Sequence, residues 1–134
     1  FGDYASEYSF DYALENGLVV NVTSWVQREM GFGRSRYRIR VAVTARLWQS
    51  IVTVAPLARV WQTVTGRGSD VLWLASYALQ KARRYGAETA KFDCFLPTED
   101  DFGTDCIQPL CVKAGEERGK PYIVIGHAEE FAII

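Results

Sequence analysis

A chain of 134 residues fits one domain, residues 1–134, large enough to bury a core without disulfides or a metal. With 49% hydrophobic, 23% charged and 13% aromatic residues, its composition argues against disorder. The formal net charge of −1 hides a segregation: residues 1–29 carry −4, residues 30–87 carry +9 and residues 88–134 carry −6. Opposed fields of this kind govern partners and association rates rather than fold. No apolar run approaches the roughly 18 residues of a membrane span, so no membrane partner is expected. No basic-then-apolar leader opens the chain, and Phe1 stands where Met would, so a few native residues are expected to precede it. The three cysteines, Cys94, Cys106 and Cys111, are odd in number and form no CxxC pair, which points to a reducing cytoplasm.

The first segment repeats every four residues: Asp3, Glu7, Asp11 and Glu15 form one row, Tyr4, Tyr8 and Tyr12 the next. Ser9 as N-cap and Gly17 just past the end predict a helix over Phe10 to Asn16. Leu18 to Val22 is a β-branched run and predicts a strand. Ser24 with Gln27 fits a capping box, and Gly31 ends the helix that follows. Tyr37, Ile39, Val41 and Val43 then alternate with Arg38, Arg40 and Ala42, a strand with an arginine face. Thr44 caps a helix carrying Leu47, Trp48 and Ile51. The clearest element starts at a Ser69 or Asp70 cap and stops at Gly86, with Val71, Leu72, Ala75, Ala78, Leu79 and Ala82 on one apolar face. Trp73 and Tyr77 flank that face. A meander follows: Phe92, Cys94 and Leu96 alternate; Ile107 to Ala114 is a strand that Pro109 demotes to an edge or bulge; Tyr122 to Ile125 is wholly apolar and therefore central. The tail, EEFAII, is too apolar to hang free and is expected to dock.

Several groups invite a chemical reading. Thr65-Gly66-Arg67-Gly68-Ser69-Asp70 precedes the long helix as a phosphate cradle would, but it is neither GxGxxG nor a P-loop. A Gly-rich turn with an N-cap explains it better. His127 is the only histidine and could pair with a cysteine or carboxylate, yet no local signature supports catalysis, and no residue is assigned a catalytic role. A Cys3His zinc site is arithmetically open but matches no zinc spacing, and Glu99, Asp100, Asp101 and Asp105 lack the EF-hand pattern. No metal and no cofactor are assigned.

The arginine segment is the better candidate. Arg34, Arg36, Tyr37, Arg38, Arg40 and Arg46 lie close together, and guanidinium groups favour bidentate carboxylate or phosphate contacts. Two readings compete. Arg38 and Arg40 neutralise the N-terminal acidic row or the Glu99–Asp105 loop within the domain, or the segment stays exposed and meets an acidic protein or nucleic acid.

The order of the pieces resembles a family of small bacterial proteins, a domain of unknown function met in chromosomes, plasmids and phages. The resemblance rests on Phe1-Gly2, Tyr8, Ala13, Asn16 to Val22, Gly31-Phe32, Val41 to Thr44 with Leu47-Trp48, Asp70 to Ala75, and Leu110 to Val112. RSRYRI and the acidic connection depart from its pattern. The family brings no established activity, cofactor or catalytic residues; its occurrence on mobile elements implies an accessory role, such as countering host defence.

Together these readings predict an α+β domain, a mainly antiparallel four- or five-stranded sheet with helices packed on one face, the 69–85 helix foremost. The function expected is that of a cytoplasmic, non-enzymatic accessory protein binding another protein through charged surfaces. A nucleic-acid-binding module using the arginine segment, and a small enzyme built around His127, are the alternatives.

Overall fold

The computed structural model describes residues 9–30, 39–53, 63–96 and 107–131. Among them, in chain order, lie α1 (Phe10–Glu15), β1 (Val19–Asn21), α2 (Thr23–Met30), β2 (Arg40–Thr44), α3 (Ala45–Val52), α4 (Val64–Arg83), β3 (Thr89–Phe95), β4 (Ile107–Glu117) and β5 (Lys120–His127). A 3-10 turn, Ala128–Phe131, follows β5 directly. The strands form one sheet in the order β1-β2-β5-β4-β3. Every neighbouring pair is antiparallel except β2 with β5. The architecture is a single α+β domain on a mostly antiparallel sheet.

Local chemistry explains most of the element ends. The Ser9 hydroxyl accepts from the Tyr12 N–H at 3.1 Å, and Gly17, at φ +70°, follows the C-cap of α1. The Thr44 hydroxyl accepts from the Leu47 N–H at 3.2 Å and caps α3. Arg118 and Gly119, at φ 54° and 75°, make the two-residue turn that a right-twisted β4–β5 hairpin prefers. Pro109 pairs with Asp93 of β3, beyond the last β4–β5 partners, Leu110 and His127, so its missing N–H breaks no ladder to β5.

Because β5 is central, its alternate residues need cover on both faces. Ile123 and Ile125 share one face with Val41, Val43, Leu110 and Val112, under Val26 of α2, Leu47 and Ile51 of α3, and Val71, Ala75 and Leu79 of α4. Val124 shares the other with Ala42 and Cys111, under Phe10 and Ala13 of α1 and Phe131 of the 3-10 turn. Three helices therefore pack on one face as expected, while α1 and the 3-10 turn docked after β5 cover part of the second. Gly126 permits that docking: a Cβ there would lie 2.6 Å from Thr44 Cγ2 and 2.9 Å from Phe131 Cε2.

Two helix starts differ from expectation. Thr23 opens α2, because Asn21 Oδ1 accepts its N–H at 3.0 Å while its hydroxyl bridges both polar backbone groups of Val41. Ser24 thus lies inside the helix rather than capping it. The start of α4 lies further back, with Thr63 as N-cap, its hydroxyl accepting from the Gly66 N–H at 2.9 Å. Gly66, Gly68, Ser69 and Asp70 are all helical, so the glycines are not a turn. Gly68 is needed for a close approach, since a Cβ there would lie 1.8 Å from Trp25 Cη2. Arg67, only 2% exposed, donates through Nε to the Ile51 carbonyl at 3.0 Å and through Nη2 to those of Ser50 and Thr53, closing the C-terminus of α3. No described helix is long and apolar enough to cross a membrane.

Candidate functional site

Of the arginine segment, Arg40 and Arg46 are described; Arg34, Arg36, Tyr37 and Arg38 lie outside the described residues. Arg40 sits on the second face of the sheet. Its Nη1 donates to Asp11 Oδ1 at 2.9 Å, and its guanidinium carbon lies 4.7 Å from the centre of the Phe10 ring. Phe10 in turn stacks on Tyr122 at 4.6 Å, and its backbone N–H donates to Glu117 Oε2 at 2.7 Å. Burial, with help from Glu117 and against the pull of Arg40, pushes the Tyr122 phenol upward. Arg40 thus neutralises one member of the acidic row while fastening α1 to the sheet. Arg46 pairs with Glu129 of the C-terminal turn.

His127 is 6% exposed at the end of β5. Its Nε2 lies 3.2 Å from the Ser50 hydroxyl of α3. Burial first, then the Arg46 charge, holds its imidazole below the usual histidine range, against the opposite pull of Glu130 and Glu129. A serine touching a histidine is the first requirement of nucleophilic catalysis, and the second is a carboxylate that orients the ring. Glu130 is spent elsewhere: one oxygen accepts from the His127 backbone N–H at 2.8 Å and from the Thr44 hydroxyl at 2.6 Å. The constellation ties the C-terminal turn to the start and outer side of α3.

Cys94 and Cys111 are free thiols on opposite faces of the sheet, so they do not share a metal ion. Burial, then Asp70, pushes Cys94 up to about 11, against Arg67; burial also raises Cys111. Both are therefore protonated and inert at neutral pH. Among the described residues, no three His, Cys, Asp or Glu side chains gather to hold a metal ion. Cys106, Glu99, Asp100, Asp101 and Asp105 lie outside those residues.

Two features of α4 stand apart from the core. The first is its solvent face. At 100° per residue, Asp70, Trp73, Leu74, Tyr77, Lys81 and Arg84 fall on one stripe opposite Ala75 and Leu79. Trp73 is 49% exposed and Tyr77 70%, with Lys81 and Arg84 exposed beyond them. Their positions are legible in the sequence as the flank of the apolar face; their joint exposure with the two cations is not. The second feature is a cavity of about 300 Å³ between α4 and strands β2, β5 and β4. Among the described residues, its walls are apolar except for Ser76, Gln80 and Arg83, which follow one flank of the helix. No sequence signal announces it, because a cavity is a failure of elements to fill the space between them. No protein-family model, curated protein or solved structure matches the chain.

Proposed function

We propose that the protein is a non-enzymatic binding protein whose α4 docks an acidic, partly apolar segment of another protein. One observation carries the reading: a large apolar patch, Trp73, Leu74 and Tyr77, is exposed on a helix whose next turn presents Lys81 and Arg84. Tryptophan, tyrosine and arginine are the residues that most often dominate protein interfaces. The cations favour carboxylates and speed encounter, while the aromatic rings supply buried area. Arg40 and Arg46 already face carboxylates of their own chain, which shifts the weight from the arginine segment to this helix. In this role the protein is a cytoplasmic accessory factor, of the kind the resemblance to bacterial, plasmid and phage proteins implies.

Selection from a displayed random-peptide library tests the proposal. Enriched peptides should combine Asp or Glu with aliphatic or aromatic residues, and should lose binding to Tyr77→Ala and to Lys81→Glu with Arg84→Glu. Enrichment indifferent to those variants, or no enrichment, overturns it. Binding of oligothymidylate that weakens steeply with salt and is lost in the same variants would make nucleic acid the partner instead.

A further inference from the structure

We propose that the cavity beneath α4 binds a medium-chain carboxylate, with the alkyl chain inside and the head group at Arg83. Val41, Ile123 and Ile125 floor it, Ala75 and Leu79 roof it, and Ile39 stands among its wall residues. The apolar residues among them favour a hydrocarbon chain. At about 300 Å³ it is near the small end of ligand sites, which suits a short or medium chain and not a long one. Charge complementarity sets the head group. Among the described residues, Arg83 is the only charged one of the lining, and one guanidinium matches one carboxylate as a planar fork. Its present partner, Glu88, is 3.4 Å away, and both side chains are more than half exposed. Such a pair contributes little and exchanges readily for a ligand. Ser76 and Gln80 continue the polar flank and supply further donors. This site lies under the helix rather than on its solvent stripe, so it stands or falls independently of the docked protein.

Titration calorimetry with hexanoate, octanoate and decanoate, each kept below its micelle concentration, tests the assignment. Affinity should rise about fourfold per methylene, and decanoate should bind more tightly than decanol. Arg83→Gln should remove that preference for the carboxylate, and Glu88→Gln, which frees Arg83, should strengthen it. Ala75→Leu fills the cavity and should abolish binding. Ser76→Trp, at a half-buried rim position that the fold tolerates more easily, should do the same, with circular dichroism confirming that each variant is folded. No saturable heat from decanoate, equal affinity for decanol, or unchanged binding in Ser76→Trp would overturn the assignment.

Discussion

Gly68→Ala should destabilise the protein, although in an exposed helix the same change stabilises by about 1 kcal/mol. The added Cβ would lie 1.8, 2.6 and 2.9 Å from Trp25 Cη2, Cζ3 and Cζ2. Non-bonded carbons rest at about 3.5–4 Å, so the indole must retreat by roughly 2 Å or α4 must lift. Overpacking of this kind costs about 1–3 kcal/mol, and the gain in helix propensity offsets about one of them, leaving a net loss of about 1–2 kcal/mol. Gly66→Ala is the milder comparison: it lies in the same helix, exposed, with the capping Thr63 Oγ1 at 3.1 Å as its nearest neighbour, so the contact need relax by only a few tenths of an ångström and the change in stability should stay within about 1 kcal/mol of zero. Urea denaturation of both variants, and of Gly68→Ala on a Trp25→Ala background, reads the difference as a cycle. Without the indole, Gly68→Ala should become neutral or stabilising. If it stabilises the wild type, or costs as much without Trp25 as with it, the seating of Trp25 on an α4 that begins at Val64 is wrong.

Leu79, 5% exposed on the inner face of α4, should lose about 2–5 kcal/mol when changed to Ala, and a loss under about 1 kcal/mol would mean that the face is misassigned. In non-reducing denaturant three thiols should titrate, whereas in the native protein Cys94, raised to about 11, and Cys111 should react slowly with a disulfide reagent; rapid native modification of both would contradict their burial. His127 has a lowered folded-state pKa, so its contribution is fully present above the unfolded value of about 6.5 and is lost as pH falls from there toward the folded value. Chemical denaturation between neutral pH and pH about 5 should show this loss, and His127→Gln should remove that part of it; an identical pH dependence in the variant would refute the assignment.

Much of the fold is legible because it is written in short-range chemistry. Ser9 and Thr44 are caps, the alternation in β3 is real, and the apolar run in β5 marks the centre of the sheet. The start of α4 is not legible, because Gly66 and Gly68 carry the signature of a turn while Gly68 serves an indole 43 positions earlier in the chain. The buried role of Arg67 is hidden for the same reason: its acceptors are the last carbonyls of another helix. Parallel pairing of β2 with β5 depends on which strand the long excursion through α3, α4 and the β3–β4 hairpin returns to, a tertiary choice that no local pattern encodes. At the candidate site, Trp73 and Tyr77 could be placed beside the apolar face from spacing alone. That they stay about half exposed or more, and that Lys81 and Arg84 continue their stripe, emerges only once the opposite side of the helix is seen packed on the sheet.

A charge swap decides whether an acidic segment docks on the solvent face of α4. A peptide enriched on the wild type is measured against Lys81→Glu with Arg84→Glu, first as selected and then with its acidic residues changed to Lys. The protein variant should bind the original peptide tenfold or more weakly, about 1.4 kcal/mol, and should regain affinity for the reversed one. Equal affinity of the original peptide for both proteins, or no recovery with the reversed peptide, would contradict it.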